Sequence, residues 1–100
     1  MEGMFVKAYR FKIMANKISK YKKIELNAWK VYKKYGGLKQ FLFCKSNNLY
    51  CDILLVEFYK SCGDFERIKR IVDNDEKIKQ LWLDFKKIVR GRITQEDYLC

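Results

Sequence analysis

A chain of 100 residues fits one domain, here residues 1–100, and can bury a modest core. An apolar share of 49%, five glycines and no proline exclude disorder and favour regular elements joined by short turns. The formal charge of +10 is concentrated early, with 12 Lys/Arg against 4 Asp/Glu in residues 1–59, which attracts anions and aids solubility without naming a partner.

No histidine is present, and no glycine-rich phosphate loop, so the common nucleophile–base and nucleotide-cradle chemistries have no starting point. Cys44, Cys51, Cys62 and Cys100 form no close pair of the zinc-knuckle kind, so neither a metal nor another cofactor is expected. They read instead as small buried thiols. The apolar runs are too short to cross a bilayer, and Met1-Glu2-Gly3-Met4 lacks the basic and hydrophobic pattern of a secretory signal. A cytoplasmic protein is the expectation.

Residues 5–13 favour a strand, and alternation separates Phe5, Tyr9, Phe11 and Ile13 from Val6, Ala8, Arg10 and Lys12. Both faces carry apolar groups, as a central strand covered on two sides requires. Asn16 or Ser19 is placed to cap the helix that follows. Over residues 18–35, Tyr21, Ile24, Ala28, Val31 and Tyr35 recur at helical spacing, and Gly36-Gly37 supplies the turn that ends the helix.

Residues 38–45 and 50–59 read as a hairpin around Asn47-Asn48. That centre sets Cys44 opposite Cys51. Parity puts Leu38, Gln40, Leu42, Cys44, Cys51, Ile53 and Leu55 on one face, and Phe41, Phe43, Tyr50, Asp52, Leu54, Val56 and Phe58 on the other. Both faces are again mostly apolar, and helices on one side leave the other as an assembly surface. Phe65, Ile68, Ile71 and Val72 begin a second helical region, broken at Asp73-Asn74-Asp75-Glu76, where Asp73 and Glu76 have the spacing of a cap and its reciprocal acid. Ile78, Leu81, Trp82, Phe85, Ile88 and Val89 form the stripe of a last helix, which Gly91 ends before a terminal strand over residues 93–99.

The resulting order, β-α-β-β-α-β, is the α+β ferredoxin-like split unit: a four-stranded antiparallel sheet with two helical layers on one face. Sheet-on-sheet packing in a two-fold homodimer explains strands that are apolar on both sides. With its opening Phe5-Val6-Lys7-Ala8-Tyr9 strand, Tyr35-Gly36-Gly37 turn and acidic break before the Trp82 helix, the chain resembles the dimeric α/β-barrel superfamily. That group includes small antibiotic-biosynthesis-type monooxygenases and many uncharacterised proteins. The resemblance implies a homodimer with a pocket between sheet and helices for a small aromatic or quinone-like molecule, oxidised in some members without metal or flavin. The histidine-dependent chemistry of certain members does not transfer.

For such a pocket, Tyr9, Tyr32, Phe41, Phe43 and Trp82 are candidate walls, and Arg10 and Asp52 are candidate polar groups. Alternation along the strands sets Arg10 against Tyr9, so these residues share one face only if a bulge intervenes. A lone Asp52 invites a general-base reading, but an ion pair with Lys7, Arg10, Lys12 or Lys45 or exposure at the edge is the favoured one, and Glu57 shares that ambiguity. Two other readings stand beside this one. Lys20, Lys22, Lys23, Lys30, Lys33 and Lys34 occupy the first helix away from its apolar stripe, with Trp29 near the border, an arrangement able to contact phosphates and stack a base of nucleic acid. A non-enzymatic structural or interaction role is the third. The stretch 39–43 lacks the basic-glycine-aromatic pattern of an RNA-recognition strand.

Overall fold

The computed structural model describes residues 3–99. Cys100 lies outside them. Strand β1 (Phe5–Met14) leads through a single 3-10 turn into helix α1 (Ile18–Lys34), then β2 (Lys39–Ser46) and β3 (Tyr50–Tyr59) form a hairpin. Helices α2 (Cys62–Val72) and α3 (Glu76–Ile88) follow, and β4 (Val89–Leu99) closes the chain. The sheet is antiparallel in the order β2-β3-β1-β4, which is the ferredoxin-like arrangement.

Register explains which residues become the interior. Phe5, Phe11 and Ile13 of β1 pair with Tyr59, Ile53 and Cys51 of β3, and all six are buried under the helices. One core cluster joins Phe11, Ile13, Ile53 and Leu55 to Tyr21 and Ile24 of α1 and to Phe85 and Ile88 of α3. A second joins Phe5 and Tyr59 to Phe65, Ile68 and Val72 of α2. Edge-on aromatic contacts knit the first cluster, Phe11 meeting Tyr21 at 5.4 Å and Phe85 at 5.1 Å between ring centres.

Several local expectations change. Neither Asn16 nor Ser19 caps α1, because the 3-10 turn moves the helix start so that Lys17 occupies the cap with no side-chain bond. Asp75, not Asp73, caps α3: its Oδ1 accepts from the amides of Lys77 and Ile78, while Asp73 sits at the end of α2 and pairs with Lys69 at 2.8 Å. The hairpin tip is one step later than expected, because Asn47 Oδ1 accepts the amides of Leu49 and Tyr50. Cys44 therefore faces Ile53, and Cys51 faces Ser46. Of the described cysteines only Cys51 is buried; Cys44 and Cys62 are exposed. Gly91 does not end α3 either. The helix passes directly into β4 at Val89, and Gly91 sits inside that strand at a φ of 72°, where the register with β1 shifts between Arg10 and Lys12.

The outer sheet face stays largely uncovered. Phe41 stacks on Phe43 at 6.3 Å and meets Phe58 edge-on at 5.8 Å, yet Phe41 is 41% and Phe43 54% exposed. Toward β1 and β4 the same face turns polar, with Lys12 beside Asp52 at 3.9 Å and Arg10 beside Glu96 at 3.4 Å. No helix among the described residues is long and apolar enough to cross a membrane.

Candidate ligand cavity

Between the inner sheet face and helices α1 and α3 the packing leaves a cavity of about 250 Å³. Its floor is Tyr9, Phe11, Leu55 and Glu57 from the sheet, with Ile93 and Gln95 of β4. Spacing on α1 aims Glu25, Ala28, Trp29 and Tyr32 into it, because residues three and four apart share a helix face. Helix α3 adds Ile78, Leu81, Trp82 and Phe85. Trp82 and Gln95 are exposed and mark where the cavity meets solvent.

Trp29 is fixed by its neighbours. It stacks on Tyr32 with the ring planes 13° apart and meets Tyr59 edge-on at 6.2 Å. Its six-membered ring lies over Gly37, where a Cβ would stand 2.7 Å from the indole. The turn that brings Gly37 there uses Gly36 at a φ of 130° and the Gly37 amide donating to the Tyr32 carbonyl at 2.9 Å. Arg67 of α2 ties the same turn down, donating to the Tyr35 carbonyl and pairing with Asp64.

The polar end of the cavity is a carboxyl pair. Gln40 Nε2 donates to Glu25 Oε1 and to Glu57 Oε2, each at 3.2 Å, and Tyr59 Oη donates to Glu57 Oε1 at 2.9 Å. Glu57 is 5% exposed, the one charged residue in the buried interior among the described residues. Burial pushes the Glu25 carboxyl up to about 8, with the Glu57 charge adding to the rise and the Gln40 hydrogen bond opposing it. Burial also raises Glu57, against the pull of Tyr59, Gln40 and Lys7. Lys7 stands across the register from Glu57 but makes its ion pair with Asp97, at 2.9 Å. Burial thus favours the protonated form of both acids that share the Gln40 amide. Burial raises the phenols of Tyr9 and Tyr32 as well, so both remain protonated donors.

Among the residues expected to form a pocket, Tyr9, Tyr32 and Trp82 come together around this cavity. Arg10, Phe41, Phe43 and Asp52 do not, because strand alternation carries all four to the outer face. There Arg10, Phe43 and Asp52 border an open depression of about 520 Å³ that also includes Lys12 and Arg92. Asp52 is an exposed partner of Lys12. Trp29 likewise lines the cavity rather than the basic helix border, while Lys20, Lys22, Lys23, Lys30, Lys33 and Lys34 are all exposed.

Sequence reasoning passed over Glu25 and Gln40 as site residues and assigned Trp29 to the basic helix face rather than to the cavity. A signal existed for the acid pair. Glu57 continues the buried parity of Cys51, Ile53 and Leu55, and Glu25 lies four residues after buried Tyr21. Among the described residues no cluster of His, Cys, Asp and Glu gathers in the manner of a metal site.

No protein-family model matches the sequence, and no curated protein matches it. Solved structures match its fold closely. SnoaB, a cofactor-independent oxygenase from Streptomyces nogalater, superposes with a TM-score of 0.76 at 6% identity, covering 98% of this chain and 93% of that one. A proposed antibiotic biosynthesis monooxygenase from Nitrosomonas europaea gives 0.76 at 13% identity, covering 100% and 92%. A dimeric ferredoxin-like protein from an uncultured marine organism gives 0.74 at 17% identity, covering 99% and 89%. The chain shares the ferredoxin-like fold of these structures. At these identities the likeness is one of fold.

Proposed function

We propose that this protein works as a homodimer in which each subunit binds a small planar aromatic molecule between sheet and helices. The observation that carries the reading is the aromatic-walled cavity of about 250 Å³ with a buried polar end. Its size lies between the roughly 150 Å³ cavity that takes benzene and the roughly 300–1,000 Å³ of typical ligand pockets, which suits a molecule of one or two rings. Trp29, Tyr32 and Phe85 supply faces and edges for stacking. The second copy covers the outer face, where Phe41 and Phe43 otherwise leave a contiguous aromatic patch in water. The dimeric neighbour of the same fold supports that assembly.

The finer part of the reading is oxygenation of the bound ring by dioxygen without a resident cofactor. Its support is the fold shared with SnoaB together with Glu25, which once ionised at about 8 or above can accept a proton from a ring hydroxyl. Titration with 1-naphthol and 1,4-naphthoquinone tests binding through quenching of Trp29 and Trp82, and an oxygen electrode tests turnover. Saturable quenching that Ala28→Phe weakens about tenfold by filling the cavity is expected. Quenching that is linear in ligand and indifferent to Ala28→Phe overturns the binding site.

A further inference from the structure

We propose that the molecule this cavity accepts is an aromatic cation, an amine or quaternary ammonium, held with its ring among the aromatic walls and its charge against Glu25 and Glu57. The inference rests on the cavity being a binding site and names the class of ligand it takes.

Charge distribution is the first argument. The chain carries 22 Lys and Arg against 12 Asp and Glu, yet among the described residues neither lysine nor arginine lines the cavity, whose charged lining residues are Glu25 and Glu57. Within a strongly basic protein the interior site is acidic. A ligand carboxylate or phosphate would meet two acids and no cation, so anions lose hydration there without a compensating partner, and are repelled as well once the acids ionise.

Hydrogen-bond supply is the second. Gln40 spends its Nε2 on both carboxyls, and Tyr59 gives its hydroxyl to Glu57. What the pair still offers once ionised is acceptor oxygen, and a group bringing positive charge answers that surplus. The nearest lysine, Lys7, is engaged with Asp97 and lies over the Phe65 ring at 5.0 Å. The third argument is the wall. Indole and phenol faces attract cations through their quadrupoles, and Trp29, Tyr32, Tyr9 and Trp82 all border the same space as the acids.

Binding a cation must also displace the protons the pair holds. Around it stand Lys7 and Tyr9 from β1, Tyr21 and Tyr32 from α1, Tyr59 from β3 and Asp97 from β4, while α3 presents apolar and aromatic groups. Affinity for a permanent cation should therefore rise with pH as Glu25 ionises around about 8.

The test uses phenyltrimethylammonium and its uncharged isostere tert-butylbenzene, titrated by calorimetry at pH 6 and pH 9. The expected result is at least a tenfold preference for the cation at pH 9, smaller at pH 6, and erased in both Glu25→Gln and Glu57→Gln. A preference that survives both substitutions, or an isostere that binds as tightly as the cation at both pH values, overturns the inference and leaves the aromatic cavity standing. Failure of both compounds to bind the parent protein, alongside indifference to 1-naphthol, removes the cavity as a site and the cation with it.

Discussion

The two faces of one sheet solve different problems with the same strands. On the inner face, Ile13, Ile53 and Tyr59 are sealed by helices, and the remaining gap opens to solvent where Trp82 and Gln95 are exposed. On the outer face, side chains one residue away along the same strands, Leu54, Val56 and Phe58, are only half-buried, and Phe41 and Phe43 stand in water. An acid placed inside becomes Glu57, held by hydrogen bonds with its proton affinity raised. An acid placed outside becomes Asp52, a solvated partner of a lysine. Position by parity, rather than residue type, decides which carboxyl has chemistry available to it.

The sharpest way to break this contrast is to charge the outer patch. Phe41→Asp with Phe43→Asp should weaken self-association by about 100-fold or more while the subunit stays folded, since both side chains are exposed in the single chain. Sedimentation velocity across protein concentration reads it. A parent protein that remains monomeric at the highest concentrations would remove the proposed assembly.

A second, smaller effect belongs to the inner acids. Glu25 holds its proton more tightly when folded, up to about 8 against an ordinary 4.5, so the folded chain binds more protons through that window. Stability should accordingly fall as pH rises from about 4.5 to about 8. Glu25→Gln should flatten the decline and leave the variant about 2 kcal/mol more stable than the parent at pH 9, a fraction of the full shift because Glu25 is partly exposed. Urea denaturation at several pH values measures this. A parent whose stability rises across the same range would contradict the buried acid pair.

The smallest effect tests how completely the inner face is sealed. Tyr21 is fully buried, and its hydroxyl has no hydrogen-bond partner among the described residues. Tyr21→Phe deletes a desolvated group without changing shape, so a gain of up to about 1 kcal/mol is expected by the same denaturation. A loss of that size would show that the hydroxyl does have a partner.

Much of the architecture was legible because period and parity are local signals. Residues 50–59 alternate so regularly that the strand is found at its full length, and Tyr21 with Ile24 marks the buried side of α1. The site was harder for a physical reason. When both faces of a strand are apolar, parity sorts residues into two sets but does not say which set meets the helices. Phe41 and Phe43 were therefore assigned to a pocket they do not reach. The acid pair depends on three residues from separate elements, Glu25, Gln40 and Glu57, whose meeting is created by the fold. The caps differ on a finer scale, Asp73 and Asp75 being chemically alike and separated by where α2 happens to stop.

Gly37 couples the turn after α1 to the cavity wall. The indole of Trp29 rests where a side chain at position 37 would project, so even one added methyl would have to displace that ring or the turn itself. A position that does not line the cavity thus constrains a residue that does.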